Sequence, residues 1–303
     1  MAVVRAVSRG RRRYHYLVQT YRWGGAVHRR ERYLGTELPV DLAHQREALE
    51  REVWGFTWFR RFEAIRQGYA SHRRSLPAAA AATEREQFIL EFTYDTNRIE
   101  GSTLTFREVA DLLIDGVSPA RRPMADVREA QLHAMLVKRL LSHPEPVDLP
   151  HLLAWHRAMF GETKPPIAGR IRDYEVRIVG SRFVPPPALE VRSMLVELVR
   201  RARRRTNALH PVERAAAFHC ELEHLHPFGD GNGRVGRLAM NMLLQESGFP
   251  MLNIRYGKRG GYYQALERGD LARTPRPFLA WFFRRYARDH ARWAPGPARR
   301  GGD

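Results

Sequence analysis

The chain has 303 residues, of which 44% are hydrophobic, enough for a core in one large domain or two. Three of its 51 basic residues are lysine (Lys138, Lys164 and Lys258) and 48 are arginine, with a formal net charge of +18. No apolar run reaches the roughly 18 residues of a membrane span, and the basic N-terminus lacks the apolar segment of a secretory signal. Cys220 cannot form an internal disulfide, so we expect a buried thiol and a cytoplasmic protein without membrane contact.

Residues 1–40 are a basic segment, with nine arginines and one acidic residue before Gly35. Aromatic and β-branched residues alternate with polar ones over 14–22 and 26–33, and two glycines between them signal a turn. The pattern predicts a small N-terminal β-hairpin extension. Such a basic, aromatic hairpin could bind nucleic acid. An appendage for packing or oligomerisation, as in a homodimer, fits the same pattern.

Residues 41–82 are predicted to be a helical arm followed by a linker. The arm runs to about Arg74, and four aromatic residues at helical spacing predict a buried stripe: Trp54, Trp58, Phe59 and Phe62. Leu76-Pro77 and the alanines at 78–82 predict a break before the next helix.

Residues 83–101 are predicted to be a helix that opens with a capping box at Thr83–Glu86 and stops at Gly101. A second capping box, at Thr105 and Glu108, predicts a helix that runs to about Gly116. Further helices are expected at 124–142, 148–160, 188–205 and 211–225.

The segment 169–187 is predicted to be a β-hairpin closed by a turn at Gly180. Its apolar positions are Val176, Ile178, Phe183 and Val184. An ordinary edge hairpin and a hairpin that docks a partner fit this stretch equally well.

The most informative stretch runs from His226 to Arg237 and reads HPFGDGNGRVGR. Gly231 and Gly233 let backbone N–H groups approach a ligand, and Asn232 between them can cap a helix. Free N–H groups at a helix start attract anions. Arg234 and Arg237 lie about one helical turn apart and can point the same way. The stretch therefore predicts a phosphate cradle at a helix N-terminus.

Two further side chains complete this predicted site. Asp230 could hold Mg²⁺ (or Mn²⁺) on a bound phosphate, because Mg²⁺ usually takes one or two carboxylates plus phosphate oxygens. His226 could take a proton from an attacking hydroxyl. Phe228 is expected to anchor the loop in the core. The neighbouring histidines do not have the spacing of a zinc site.

The pattern H-x-F-x-D-G-N-G-R-x-x-R resembles the signature of the Fic family at every fixed position. This resemblance, over about residues 83–285, implies a mainly α, Fic-fold helical bundle with a β-hairpin flap, in a domain that we place at 83–290. The Pro/Gly/Arg-rich composition of the C-terminal residues predicts a disordered tail at 291–303. It implies transfer of AMP from ATP to a Ser, Thr or Tyr hydroxyl of a protein, including self-modification. Val176, Ile178, Phe183 and Val184 would then belong to the target-docking flap.

Upstream, TNRIEG at 96–101 resembles the family's inhibitory motif in its class II members, where the helix precedes the catalytic motif. The resemblance implies that Glu100, with Thr96, pairs with Arg237 in the place of the ATP γ-phosphate, since a carboxylate mimics a phosphate oxygen. Tyr262 and Tyr263 correspond loosely to a tyrosine that lines the adenine pocket. An asparagine that often follows it is absent, which leaves open whether AMP or another nucleotide is transferred.

Several alternatives stay open at this point. A protein of this fold could remove AMP, with Glu100 positioning the water, or transfer another nucleotide or phosphate. The relatives that phosphorylate lack the second glycine, which this chain keeps as Gly233. A regulator that binds nucleic acid through residues 1–40 and an inactive scaffold are the remaining alternatives.

Overall fold

The computed structural model describes residues 2–178, 180–204 and 209–294. Most of the predicted tail lies outside these residues, although Ala291–Trp293 forms a short 3₁₀ turn where disorder was expected. The chain divides into two compact units: one holds the residues up to Gly68 and the segment from Ala291, and the other is Tyr69–His290. Among the described residues, none of the helices is long and apolar enough to cross a bilayer.

The first unit opens with an antiparallel sheet in the order β1-β2-β3, formed by Val3–Arg9, Arg12–Trp23 and Ala26–Gly35. The predicted hairpin is the β2-β3 pair. Strand β1 was not predicted, because its arginine and serine positions hide the two-residue alternation of Val3 to Val7. One face buries Leu17 against Leu49 of the next helix, so the sheet is packed on one side.

The predicted arm consists of α1 (Leu42–Trp54), a π-helical turn (Gly55–Phe59) and α2 (Arg60–Ser75). The prediction of a buried aromatic stripe is only partly correct. Phe62 is fully buried, whereas Trp54, Trp58 and Phe59 are half-buried.

The predicted linker at 78–82 and the capping box at Thr83 are wrong. Helix α3 runs unbroken over Ala78–Ile99, directly after Pro77. Alanine has the highest helix propensity and proline is tolerated at a helix start, so the alanine run begins this helix. The hydroxyl of Thr83 donates to the carbonyl of Ala79 at 3.1 Å, one turn back within the same helix. The predicted stop is correct: Gly101 follows with φ +97°.

The rest of the second unit is a helical bundle, and the capping box at Thr105 and Glu108 is formed as predicted. Its helices are α4 (Phe106–Ile114), α5 (Met124–Ser142), α6 (Leu149–Phe160), α7 (Ala188–Arg203), α8 (Pro211–Leu225), α9 (Asn232–Glu246), α10 (Arg259–Ala272) and α11 (Arg276–Asp289). Helix α9 is the centre of the bundle, since every residue over 232–244 is buried. Cys220 in α8 is buried, as predicted, and burial raises the pKa of its thiol.

The predicted hairpin at 169–187 does not form in the described part of this segment. The backbone is extended and irregular, without ladder pairing on either side of Gly180. A turn does form there, with the amide of Ser181 bonded to the carbonyl of Ile178 at 3.1 Å. Proline at 185–187 removes the backbone donors that a second strand would need.

Candidate active site

The predicted base, His226, lies at the junction between α8 and the loop that leads to α9. It ends α8 in the left-handed conformation, at φ +48°, which is uncommon for a residue other than glycine. Its Nδ1 faces the carbonyl oxygen of Glu223 at 3.4 Å. If Nδ1 carries the proton, Nε2 has the free lone pair of a base. Burial lowers the pKa of His226, which keeps the ring neutral at physiological pH.

Two side chains hold the loop after His226: that of Asn232 within the loop and that of His156 in α6. The side chain of Asn232 accepts from the amide of Phe228 at 2.8 Å and donates to its carbonyl at 2.9 Å. The side chain was predicted to cap α9, but Gly231 is the N-cap, and phosphate binding by the backbone N–H of Asn232 stays a prediction. His156 accepts from the amide of Gly169 and lies 2.9 Å from the carbonyl of Asp230. Phe228 is fully buried and stacks on His156, which confirms its predicted role as an anchor.

The two glycines of the motif serve two different purposes. Gly231 precedes α9 at φ +80°, and a Cβ there would lie 2.3 Å from the ring of Phe160. Gly233 lies in the first turn of α9, and a Cβ there would lie 2.1 Å from Oε1 of Glu100. The first-turn amides of an α-helix have no acceptor within the helix. The carboxylate of Glu100 is therefore seated at the helix N-terminus predicted to bind phosphate.

The predicted pairing between Arg237 and the end of α3 is formed in the structure. Arg237 is 1% exposed and donates from Nη2 to Oε1 of Glu100 at 2.7 Å. Thr96 accepts twice from the same guanidinium, through its hydroxyl at 2.8 Å and its carbonyl at 3.1 Å. One face of α3 thus supplies an anion and two neutral acceptors to one buried cation.

The other motif arginine, Arg234, has a different environment from the one predicted. Its guanidinium is buried, forms an ion pair with Glu129 of α5 and lies 4.4 Å from the centre of the Phe160 ring. Its Nη2 is 3.5 Å from Oδ1 of Asp230. Arg234 therefore positions Asp230 and neutralises Glu129, and its contact with phosphate stays a prediction.

Asp230 itself fits the predicted metal ligand. Its Oδ1 accepts from the amide of Gly231 at 2.5 Å, while Oδ2 lies 2.8 Å from the ammonium of Lys164. The side chain is 41% exposed, so one oxygen can be reached from solvent. Nearby cations lower the pKa of Asp230 despite its partial burial, and an ionised oxygen is what Mg²⁺ or Mn²⁺ prefers.

The hydroxyl groups of Tyr262 and Tyr263 both bond to other parts of the protein, and the adenine pocket expected there stays a prediction. Tyr262 is buried, and its hydroxyl lies 3.0 Å from Nε2 of His219 and 3.3 Å from Nη1 of Arg237. Tyr263 donates to the carbonyl of Ile99 at 2.8 Å. Both tyrosines therefore stabilise the end of α3 and its partner arginine.

The predicted flap is held to the catalytic loop by a residue that we did not predict, Arg172. Its buried guanidinium donates to the carbonyls of His226 at 2.8 Å, Tyr174 at 3.0 Å and Pro186 at 2.6 Å. Its amide donates to the carbonyl of Pro227 at 2.9 Å. Because these acceptors are backbone carbonyls, no sequence pattern predicts the contact.

The predicted docking side chains lie around this anchored segment. Val176 and Ile178 are half-buried, and Val184 is 54% exposed. Phe183 packs on the ring of His224, with 4.3 Å between ring centres.

Two more carboxylates and one lysine near the motif were missed. Burial, together with the neighbouring charge of Glu100, raises the pKa of Glu223 to about 8. Glu129 and Lys164 lie far from the motif in sequence and reach it through tertiary contacts. Only the position of Glu223, three residues before His226 in the same helix, was a signal that sequence reasoning could have used.

Comparison with known proteins relates this site to a known protein family. Residues 146–244 match the model of the Fic/DOC family. The curated protein adenylyltransferase fic-1 of Caenorhabditis elegans is 32% identical over 203 residues, which are 65% of this chain and 39% of that protein. Protein adenylyltransferase Fic of Nematostella vectensis is 29% identical over 220 residues, 69% of this chain and 50% of that protein. The match thus spans half or less of these relatives.

A solved structure agrees with the sequence comparison. Fic-1 of C. elegans superimposes with a TM-score of 0.70 at 26% identity, covering 84% of this chain and 75% of that one. The predicted mainly α architecture is confirmed, and the predicted resemblance to the Fic family is confirmed for residues 146–244.

Proposed function

We propose that this chain, which belongs to the Fic/DOC family through its domain at residues 146–244, is a protein adenylyltransferase. It would move AMP from ATP to a Ser, Thr or Tyr hydroxyl of a protein. One observation carries the proposal: the Glu100 carboxylate is held by Arg237 against Gly233, in the first turn of α9. A site that seats one anionic group at a helix N-terminus beside a guanidinium has the chemistry to seat a phosphate.

His226 is the proposed general base. Its Nε2 would accept the proton of the attacking hydroxyl, whose oxygen forms a bond to the α-phosphorus. The bond from that phosphorus to the bridging oxygen breaks, and pyrophosphate leaves. A general base typically contributes about 10²–10⁴ in rate. The rest comes from positioning and charge stabilisation by the amides of α9 and by Arg237.

Asp230 would hold the divalent cation, Mg²⁺ or Mn²⁺, that neutralises phosphate charge when it is bound. Arg234 and the amide of Gly231 fix Oδ1 of Asp230, whereas Oδ2 is paired with the flexible ammonium group of Lys164. This division of the carboxylate supports the assignment of Asp230 as the metal ligand.

Glu100 is the proposed inhibitor of the same site. Its carboxylate takes a donor of Arg237 that a terminal phosphate oxygen would otherwise use. Two hydrogen bonds fix α3, the helix that Glu100 directly follows: Asp95 accepts from the side chain of Asn253 at 2.6 Å and from the amide of Tyr256 at 2.8 Å. The Glu100 side chain is 25% exposed. Inhibition would therefore be relieved by movement of this side chain while α3 stays in place.

Target docking is proposed along the irregular segment to which Val176 and Val184 belong. Backbone without strand pairing can register a partner strand with little demand on its sequence. The target could be another protein or a second copy of this chain, as in self-modification. A cytoplasmic location stays a prediction.

The test is transfer of label from ATP tagged on its α-phosphate, measured on the chain itself and on added protein. We expect weak labelling of the wild type, strong labelling of Glu100→Gly and loss of label in Glu100→Gly with His226→Ala. Nucleotide binding of the double variant, measured by calorimetry, should be retained, because His226 acts on the hydroxyl.

Two results would redirect the proposal. Unchanged labelling of Glu100→Gly would remove Glu100 as an inhibitor. If no variant is labelled but Glu100→Gly loses the ability to release AMP from a labelled protein, AMP removal is the activity, with Glu100 acting on water.

The sheet of the first unit favours a second candidate function, binding of single-stranded nucleic acid. On the face opposite Leu17, the rings of Tyr14 and Tyr16 lie 6.4 and 5.3 Å from that of Tyr33. Arg5 lies directly across from Tyr16 in the β1-β2 register. Aromatic platforms flanked by arginine bind single strands by stacking and charge. A second copy of this chain is a poorer occupant, because two strongly basic faces repel each other.

Fluorescence anisotropy with a single-stranded oligonucleotide of about 20 nucleotides tests this second function. Tyr16→Leu with Tyr33→Leu keeps the charge and should weaken binding about tenfold or more, at about 1–3 kcal/mol per stacked base. Replacing Arg5, Arg9 and Arg12 with glutamine removes three positive charges. This triple variant should bind the oligonucleotide much more weakly, and its affinity should depend less on salt.

The matched control removes three exposed arginines elsewhere, as Arg85→Gln, Arg192→Gln and Arg268→Gln. Equal losses in both arginine triples, with no effect of the tyrosines, would reduce the interaction to nonspecific attraction by a protein of charge +18. Duplex binding without single-strand preference would also contradict it.

A further inference from the structure

Lys164 pairs with the carboxylate proposed to hold the metal. Its Nζ lies 2.8 Å from Oδ2 of Asp230 and 2.7 Å from Oε1 of Glu129. We propose that Lys164 competes with the divalent cation for Oδ2 of Asp230, so that the site takes up metal together with the nucleotide rather than before it. This inference rests on the proposed function, and it assigns Lys164 a positioning role in it.

The geometry is a closed ring of four charges. Lys164 and Arg234 each contact both carboxylates: Lys164 through Oε1 of Glu129 and Oδ2 of Asp230, and Arg234 through Oε2 and Oδ1. The two positive and two negative charges cancel within this ring. Oδ1 of Asp230 has two partners in the ring and loop, whereas Oδ2 has Lys164. A divalent cation that binds Oδ2 must therefore displace the ammonium or share the oxygen with it.

The backbone of Lys164 is fixed in the turn after α6. Its amide donates to the carbonyl of Phe160 at 2.8 Å, and its own carbonyl accepts from Ile167 and Ala168 at 3.1 and 3.2 Å. The side chain is one-third exposed. The ammonium can therefore swing on its flexible stem while the loop around it stays in place.

The choice of lysine at this position supports the same inference. Of the 51 basic residues in the chain, 48 are arginine, so a lysine at this position is unusual for this sequence. Arginine would grip a carboxylate through two fixed donors, whereas an ammonium is a compact charge on a flexible stem. A cation that must leave one oxygen and re-pair with another anion is better served by lysine.

The nucleotide supplies the other half of the exchange. A triphosphate brings negative oxygens next to Asp230, and these give the ammonium a new partner as the metal takes Oδ2. Without nucleotide, the displaced ammonium would keep Glu129 but gain no phosphate oxygen in place of Asp230. Removing the positive charge should then favour the metal strongly, because the repulsion between the ammonium and the divalent cation is lost. The carboxylates of Glu129 and Asp230, no longer paired with Lys164, would also attract a divalent cation more strongly.

Mn²⁺ binding in the absence of nucleotide tests the inference with the full chain. Free Mn²⁺ is followed by electron paramagnetic resonance, which needs no turnover. We expect weak binding by the wild type and at least tenfold tighter binding by Lys164→Met. Lys164→Gln, which keeps hydrogen bonds to both carboxylates, is the second variant, for use if the methionine destabilises the fold. Lys164→Arg keeps the charge and should bind no more tightly than the wild type.

Asp230→Asn in the Lys164→Met background is the matched control, and it should abolish the gain. With a non-hydrolysable ATP analogue present, wild type and Lys164→Met should differ less in Mn²⁺ affinity than they do without it. Equal or weaker Mn²⁺ binding by both neutral variants in the absence of nucleotide would overturn the inference. That outcome leaves label transfer from ATP untouched, so the two proposals fail separately.

Discussion

Nε of Arg172 donates to the carbonyl oxygen of His226 at 2.8 Å, and this bond joins the flap segment to the catalytic loop. His226 is in a left-handed conformation that a non-glycine residue adopts at a cost. The guanidinium fixes that conformation from its carbonyl side. The placement of the proposed base thus depends on a residue more than fifty positions away in the sequence.

Replacing Arg172 should impair both folding and transfer. Arg172→Met would leave several buried carbonyls without a donor, at about 1–3 kcal/mol for an unsatisfied group. We expect a lower melting temperature for Arg172→Met and a smaller decrease for Arg172→Lys. In the Glu100→Gly background, Arg172→Lys should lower kcat for label transfer at least tenfold with a smaller change in the KM for ATP.

Arg170→Lys is the control for this prediction, because Arg170 is exposed and two residues away. It should leave stability and rate unchanged. A normal kcat in a folded Arg172→Lys protein would show that the contact does not position His226.

The rate of transfer should depend on pH through His226. Desolvation lowers its pKa below the ordinary value of about 6.5, while the charge of Glu100 raises it. In Glu100→Gly the raising contribution is gone, so the ring should be neutral across pH 7–8. We expect kcat/KM to be flat there and to fall only as the pH drops below the ordinary histidine range. A pH–rate profile with a midpoint above about 6.5 would contradict this assignment.

Much of this site was predictable from the sequence, because its chemistry is concentrated in one continuous stretch. His226, Asp230 and the two glycines lie where the motif placed them, and Glu100 meets Arg237 as the resemblance implied. The ion pair of Arg234 with Glu129 was not predictable, because the spacing of Arg234 from Arg237 says nothing about a partner on another helix. The capping role predicted for Asn232 was wrong, because Gly231 is the N-cap and the Asn232 side chain bonds to the backbone of its own loop.

The fold was predictable where local signals agreed with packing. The capping box at Thr105 formed, whereas the similar pattern at Thr83 was overridden by the alanines before it, which continue the helix. The hairpin at 169–187 does not form in the described residues for two reasons: proline at 185–187 removes backbone donors, and Arg172 engages the carbonyls of Tyr174 and Pro186. Strand β1 was hidden by arginines on its exposed face.

Glu223 gives a prediction on stability. Its pKa is raised to about 8 in the fold, against about 4.5 in the unfolded chain. Between these values the unfolded state releases a proton that the folded state keeps, so the contribution of Glu223 destabilises the fold increasingly as pH rises from about 4.5 to about 8. Glu223→Gln removes this effect. Its melting temperature relative to wild type should therefore rise between pH 5.5 and pH 8, by calorimetry. A difference that does not change with pH would show that Glu223 is ionised in the fold.

The measurement that tests the central claim most directly follows both ends of ATP in the Glu100→Gly variant. One reaction contains ATP labelled on the α-phosphate and the other ATP labelled on the γ-phosphate. AMP transfer predicts that the α-label becomes bound to protein and the γ-label appears in pyrophosphate. Protein that carries the γ-label, or a γ-label released as single phosphate without modification of protein, would contradict the account and indicate phosphoryl transfer or hydrolysis.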